Sequence, residues 1–292
     1  MGYLFFNYFW ICKRQLLVFN KNIMRRLRIL FYWLFYCKNN VTLKELLLFL
    51  TKPKVDQIAK QFIVKIEKET NHSKVYFKDL ERVLFWPNEF PVSGINQVTA
   101  ETFDKKDWHY YQFEKTQIQN GEILLDIGTA EGLFPLVVFD KCKHIYMVEP
   151  SQYFHRSLLK SFGELGKTTL FNCAVGSTNE KVNFNEDSLD GQIAKSADSG
   201  RIIDVKTIDS LIEDKTVTFL KADIEGFEIE MLKGAKNTII KNKPKIAITT
   251  YHKPNNPKEI IDLIKSYVPE YNYFIKGIHG EEPKPVMIHF WI

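Results

Sequence analysis

The sequence lacks the features that mark several common classes of protein. Its four cysteines include no CxxC pair and no zinc-ligand spacing with histidine, and a disulfide framework is not expected in a chain of 292 residues. Its apolar runs are shorter than the about 20 residues that a transmembrane helix needs. A signal peptide is not expected, because Lys13 and Arg14 follow the first apolar run instead of preceding it. The composition therefore predicts a cytoplasmic protein with reduced thiols.

Acidic residues are absent from residues 1–40, which contain seven lysines and arginines and twelve aromatic residues. The rest of the chain has 33 basic against 35 acidic residues, so no nucleic-acid-binding surface is expected there. Two interpretations of residues 1–40 stay open. They form one or two helices that pack on the body of the protein or on a second subunit of a homo-oligomer. Alternatively, this basic and aromatic segment contacts an anionic membrane at its inner face.

Hydrophobic periodicity divides the chain into two regions. Residues 1–104 are predicted to be a mainly helical accessory region, with helical spacing in 55–69 and an irregular stretch from residue 71. In residues 105–292, strand-like and helix-like segments alternate, which predicts an α/β fold with a mostly parallel sheet covered on both faces. Strands are predicted at 122–128, 144–150, 169–176, 217–226, 244–252, 271–279 and 285–292. The short link between the last two requires an antiparallel hairpin. This arrangement resembles, by analogy of fold, the Rossmann-like class I methyltransferases.

The first strand–helix turn, "DIGTAEG", differs from the GxGxxG loop of a dinucleotide site. Gly128 permits a sharp turn and the close approach of a ligand, whereas Asp126 would repel a pyrophosphate. An acid suits the cationic methionine end of S-adenosylmethionine. Glu149, 21 residues after Gly128, ends the second strand, where a carboxylate can accept both ribose hydroxyls. The predicted cofactor-binding residues are Asp126, Gly128, Thr129, Ala130, Gly132 and Glu149, with Asn172 and Cys173 at the adenine edge.

Two carboxylates one residue apart, Asp223 and Glu225, stand where the fourth strand ends, and His252 follows the fifth strand. Ligands bind at this edge of open α/β sheets, so these three are the predicted catalytic residues. Asp223 is preferred over His252 as the base that removes a hydroxyl proton, and Glu225 would hold the acceptor. The alternative, in which the two acids only cap the next helix, stays open. Aspartate, glutamate and histidine also bind metals, but the site is interpreted as metal-free.

Four segments, "DIGTAEGLF", "VEPS", "NCAVG" and "LKADIEGFEIEMLKGA", together resemble the FkbM family of S-adenosylmethionine-dependent methyltransferases over residues ~105–292. The last contains the family's K-x-D-x-E-G-x-E signature, and the first has Thr129 where alanine is expected. The resemblance implies O-methyl transfer to a sugar, glycan or related small-molecule acceptor, for example in surface polysaccharide biosynthesis. It also assigns residues: Asp126, Gly128, Ala130 and Gly132 to the cofactor loop, Glu149 to the ribose, and Asp223, Glu225 and Gly226 to the signature.

Two other functions are considered beside methyl transfer. A nicotinamide-dependent oxidoreductase would use the same type of sheet, but it normally needs the missing GxGxxG pattern. A non-catalytic module would use the fold only to bind a partner.

Overall fold

The structure, a computed structural model, describes residues 23–186, 192–193, 201–252 and 257–292. The N-terminal elements are α1 (23–35), α2 (Leu43–Leu50), α3 (Val55–Ala59), β1 (Ile63–Lys68), β2 (His72–Phe77), β3 (Leu84–Pro87) and α4 (Ser93–Phe103). The three strands form an antiparallel sheet. The predicted helix over 55–69 is therefore wrong beyond Ala59, because β-branched residues such as Ile63 and Ile66 extend and pair with β2. The region predicted as mainly helical contains this sheet as well as its helices.

Most of the rest of the chain alternates strands and helices, as its periodicity predicts, but among the described residues of 168–206 five strands follow one another without a helix. The strands are β4 (Glu122–Ile127), β5 (Cys142–Val148), β6 (Thr168–Phe171), β7 (Ala174–Val175), β8 (Glu180–Asn185), β9 (Gln192–Ile193), β10 (Arg201–Lys206), β11 (Phe219–Ala222), β12 (Lys245–Thr249), β13 (Asn272–Lys276) and β14 (Met287–Trp291). The helices are α5 (Leu133–Val138), α6 (Gln152–Phe162), α7 (Ile208–Ile212), α8 (Glu228–Lys233), α9 (Lys236–Asn242) and α10 (Pro257–Tyr267).

Seven of these strands form the central sheet, in the order β13-β14-β12-β11-β4-β5-β6. β14 runs antiparallel to both of its neighbours, and the other pairings in the sheet are parallel. The chain closes with β14 inserted between β13 and β12. This arrangement confirms the predicted α/β fold of class I methyltransferase type, with a mostly parallel sheet that ends in an antiparallel hairpin.

Both faces of the central sheet are buried over its inner strands, where alternate residues face opposite cores. Leu124 of β4 belongs to a core that also contains Ile29 of α1 and Trp86 of β3. Leu125, its neighbour, belongs to the core beneath α7–α10, together with Met231. The N-terminal region therefore completes one of the two hydrophobic cores instead of forming a separate one.

A second sheet, in the order β7-β10-β8-β9, lies beside the end of β5. Arg201 links the two parts, because its guanidinium donates to the Pro150 carbonyl at 2.8 Å and pairs with Glu186 at 2.9 Å. Residues 187–191 and 194–200 of this region lie outside the described residues.

Helix α1 carries a stripe of exposed apolar side chains. Its members are 40–70% exposed: Ile23, Met24, Leu27, Phe31, Leu34 and Phe35. No helix within the described residues is long and apolar enough to cross a membrane. Residues 1–22 lie outside the described residues, so membrane contact through residues 1–40 stays a prediction.

Candidate active site

A cavity of about 960 Å³ opens at the carboxyl ends of β4, β5, β11 and β12. This is the edge at which open α/β sheets bind ligands, and the volume suits a ligand of cofactor size. The opposite wall comes from α4, through residues that include Gln97 and Glu101. Each side of the cavity therefore belongs to a different region of the sequence.

The turn between β4 and α5 forms the floor of the cavity and depends on left-handed backbone conformations. Gly128 has φ +68°, and a Cβ at this position would lie 1.9 Å from the carbonyl oxygen of Asp223. Ala130 has φ 47°, which is uncommon for a residue with a side chain. Gly132, with φ +88°, precedes α5 and lies against α6. The predicted cofactor loop is therefore a tight backbone turn next to the end of β11.

Asp126 is fully buried and does not reach the cavity wall that the described residues form. Its Oδ1 lies 2.9 Å from Nζ of Lys221, which also donates to the Gly128 carbonyl at 2.8 Å. The Thr129 hydroxyl donates to the Asp126 carbonyl at 2.9 Å. Asp126 thus holds the loop through Lys221, and its charge is matched within the protein. The nearby carboxyl on the cavity wall belongs to Glu131, whose pKa is raised by burial to about 7.

Glu149 lines the cavity beside this turn and is 6% exposed. Its two carboxylate oxygens accept hydrogen bonds from the backbone N–H groups of Ala130 and Ser151, each at 2.8 Å. Burial raises the pKa of Glu149 to about 7 despite these two bonds. A carboxylate has about four lone-pair directions, so both oxygens keep room for further donors.

The two residues predicted at the adenine edge lie in different surroundings. The Asn172 amide donates to the carbonyls of Glu149 and Pro150, at 2.9 and 3.2 Å, and takes no part in the described cavity wall. Its position fixes the end of β5. Cys173 lines the cavity, and burial raises the pKa of its thiol to about 11.

Asp223 accepts hydrogen bonds on both carboxylate oxygens. The Tyr111 hydroxyl donates to Oδ2 at 2.7 Å, and the Thr249 hydroxyl donates to Oδ1 at 3.0 Å. Nε2 of His109 lies 3.4 Å from Oδ2. Burial alone would raise the pKa of this carboxyl, but His109 and the charge of His252 hold it well below its usual range. Asp223 is consequently an ionised, well-oriented carboxylate and a poor proton acceptor.

The three predicted catalytic residues converge at one side of the cavity. The Nε2 atom of His252 lies 3.3 Å from Oε1 of Glu225 and 3.6 Å from Oδ1 of Asp223. On the other side of the ring, Nδ1 lies 3.0 Å from Oε1 of Glu228, which is fully buried. Burial alone would lower the pKa of His252, but Glu225 and Glu228 raise it to about 10. A histidine protonated in this way cannot serve as the base.

Several residues of the site are missing from the set predicted from the sequence. His109 and Tyr111 stand in "DWHYY", a segment whose aromatic residues indicate from the sequence either a cover over the cofactor or core packing, without assigning a role to either residue. Its neighbour Trp108 packs in the core on Phe49, with ring centroids 4.3 Å apart. Glu228 is the last acid of the K-x-D-x-E-G-x-E signature. The α4 wall has no sequence signal, because its surroundings are predicted to be irregular.

Comparisons with known proteins find one family model and several solved structures of low similarity. The family model of the methyltransferase FkbM domain matches residues 126–275, just over half of the chain. A crystal structure of methyltransferase FkbM from Methylobacillus flagellatus KT is 23% identical, with a TM-score of 0.49; the match covers 69% of this chain and 55% of that one. TYW2 of M. jannaschii, in complex with AdoMet, is 12% identical, with a TM-score of 0.40 and coverage of 77% and 86%.

An rRNA methylase from Streptococcus thermophilus is 11% identical, with a TM-score of 0.36 and coverage of 59% and 87%. No curated protein matches the sequence. The family match contains the loop at Gly128, the acid at Glu149 and the signature around Asp223. The chain therefore belongs to the FkbM family of methyltransferases.

Proposed function

We propose that this methyltransferase takes its methyl group from S-adenosylmethionine and transfers it to a hydroxyl oxygen of a small molecule or glycan, such as a precursor of a surface polysaccharide. The observation that carries the proposal is one cavity with two polar ends. Glu149 lies beside the glycine turn at one end, and Asp223, Glu225 and His252 converge at the other.

The donor fits the end of the cavity that the glycine turn forms. Glu149 would accept hydrogen bonds from both ribose hydroxyls, because its oxygens are held toward that turn by two backbone N–H groups. Glu131 would lie near the cationic methionine end, in place of the buried Asp126. Glycine at position 128 lets this left-handed turn lie against the carbonyl of Asp223, where a side chain would collide with the end of β11.

The reaction is an in-line displacement at the methyl carbon. The acceptor oxygen forms a bond to that carbon, the bond from carbon to sulfur breaks, and its electron pair stays on the sulfur. The products are a methyl ether and S-adenosylhomocysteine, and the hydroxyl proton must pass to a base. Holding oxygen, carbon and sulfur in line is the main contribution that a protein makes to such a step.

Glu225 is the proton acceptor that we favour at the catalytic end. Its side chain is 32% exposed and lines the cavity, so an acceptor hydroxyl can reach it. Both oxygens of Asp223 already accept hydrogen bonds, and its lowered pKa makes it a weak base. Asp223 would instead orient the acceptor, which reverses the roles predicted from the sequence.

Calorimetry with S-adenosylmethionine, followed by transfer of labelled methyl groups to nucleotide sugars and short oligosaccharides, tests the proposal. We expect Glu149→Gln to lose donor affinity, and Glu225→Gln to keep that affinity but lose at least tenfold in turnover. Glu230→Gln is the matched control, because Glu230 lies near Glu225 in the chain but pairs with the exposed Lys233.

Two other experimental outcomes would count against methyl transfer by this protein. A wild-type protein that binds no S-adenosylmethionine contradicts the proposal. Donor binding without transfer to any hydroxyl acceptor favours the non-catalytic binding module.

A further inference from the structure

We propose that Asp223, Glu225 and His252 bind a divalent metal ion of the Mg²⁺ or Mn²⁺ type, and that the acceptor hydroxyl binds to this ion. The inference rests on the proposed function, because the ion acts on the hydroxyl that is methylated. It replaces the metal-free interpretation of the sequence.

The distances between the three side chains suit a shared ion. Their ligand atoms all lie within 4.8 Å of one another. Neighbouring ligands of an octahedral ion with bonds of about 2.1 Å are about 3.0 Å apart. The distances of 3.3 and 3.6 Å from His252 Nε2 to the two carboxylates exceed this by only a few tenths of an ångström. Small rotations of the side chains would bring all three atoms into contact with one ion.

The surroundings of the Nε2 atom of His252 also support a bound metal ion. His252 is 7% exposed, and none of the described residues forms a well-directed hydrogen bond with Nε2. This atom nevertheless faces two carboxylate oxygens. Two anions beside this nitrogen need a positive charge between them, which is the proton of His252 when no metal is bound. A divalent ion would displace that proton and satisfy all three groups at once.

The surroundings of His252 match those of metal-binding histidines. Such histidines donate their second ring N–H to a carboxylate, which sets the tautomer and the orientation of the ring. Here Oε1 of Glu228 lies 3.0 Å from Nδ1 and 3.3 Å from the Thr249 hydroxyl, whose one proton is shared with the closer Asp223. Glu228 is fully buried, so its carboxylate is fixed in this position.

The ligand types and their position define the ion and its role. Two carboxylates and one imidazole suit a hard divalent cation, which prefers oxygen ligands and six-fold coordination. Three protein ligands leave three positions, and all three residues line the cavity. Water or an acceptor hydroxyl can therefore occupy the open side.

A bound ion would make the proposed transfer easier without changing its balance. Binding to a divalent cation lowers the pKa of a hydroxyl, so that a weak base suffices to remove its proton. Glu225 can bind the ion through one oxygen and take the proton on the other. The oxygen then attacks the methyl carbon, and the ion neither gains nor loses electrons.

The test measures metal binding directly, in the absence of donor and acceptor. The full chain is treated with EDTA, desalted and titrated with MnCl₂, and free Mn²⁺ is followed by electron paramagnetic resonance. We expect one Mn²⁺ per chain. The affinity should fall at least tenfold in Asp223→Asn, Glu225→Gln and His252→Ala, and by about tenfold in Glu228→Gln through loss of ring orientation. Glu131→Gln, a second buried acid of the same cavity, should bind Mn²⁺ as the wild type does.

Thermal unfolding identifies any variant that has lost its fold, and Glu225→Gln, which is partly exposed and close in size to the original residue, is the variant expected to retain it. The inference is overturned if wild-type protein binds no Mn²⁺, or if the folded ligand variants bind it with unchanged affinity. Donor calorimetry and methyl transfer in EDTA on the same samples report on the proposed function separately. Transfer that persists without bound metal would remove this inference and leave that function standing.

Discussion

Replacing Gly128 by alanine tests whether the contact with the Asp223 carbonyl determines the residue at the glycine turn. A left-handed conformation costs an alanine about 1–2 kcal/mol. The new Cβ would lie 1.9 Å from that carbonyl oxygen, and backbone cannot move aside by changing rotamer. Forcing the two strand ends apart costs about 1–3 kcal/mol more. We therefore expect Gly128→Ala to lower the free energy of unfolding by about 2–5 kcal/mol.

Gly121 provides the matched control, because it also has a left-handed backbone, with φ +88°, but a Cβ at this position would meet no described atom within 4 Å. Gly121→Ala should cost only the backbone strain, about 1–2 kcal/mol. Urea unfolding followed by tryptophan fluorescence measures both variants. Equal destabilisation in the two would refute the reasoning, since the carbonyl contact would then contribute nothing.

Further predictions concern a buried ion pair, a titrating acid and the apolar stripe of α1. Lys221→Met should lower the free energy of unfolding by about 3–5 kcal/mol in urea, because it leaves a buried carboxylate unpaired, whereas Lys233→Met, in an exposed pair, should cost less than about 1 kcal/mol. Affinity for S-adenosylmethionine should fall as the pH drops below about 7, since protonation of Glu149 removes the acceptor of the ribose hydroxyls and protonation of Glu131 removes the charge beside the methionine end. Calorimetry should show up to about a tenfold change per pH unit for each acid, and a flat profile would contradict both roles. If α1 contacts a membrane, Leu27→Glu and Phe31→Glu should reduce sedimentation of the protein with anionic vesicles. The wild-type protein should not sediment with neutral vesicles, and its failure to sediment with anionic ones would contradict the contact.

The architecture of residues 105–292 could be predicted because the sequence patterns that indicate it are local. Alternation of apolar strands with amphipathic helices specifies a parallel sheet, and the short link before the last strand specifies its reversal. The N-terminal sheet is harder to predict from the sequence. Residues of β1 have apolar spacing compatible with a helix, and their strand conformation depends on pairing with β2, which one segment alone does not reveal.

For the site, the sequence locates residues at strand ends but not the direction of their side chains. Asp223, Glu225 and His252 meet because β11 and β12 are neighbours in the sheet. Asp126 is predicted to contact the cofactor but does not line the cavity, because Lys221, on the adjacent strand β11, holds its carboxylate below the loop. That pairing depends on strand order and register, so spacing along the chain could not predict it.

Because α4 forms one wall of the cavity, the N-terminal region can contribute to the choice of acceptor while the central sheet carries the groups for methyl transfer. Under the proposed function, the donor and the reacting groups lie at the carboxyl ends of the sheet strands, whereas Gln97 and Glu101 line the cavity from a helix far earlier in the chain. Variation in α4 would then change which molecule is accepted while the transfer chemistry stays the same. Relatives that share the sheet but begin with a different N-terminal region should differ in the compound they modify.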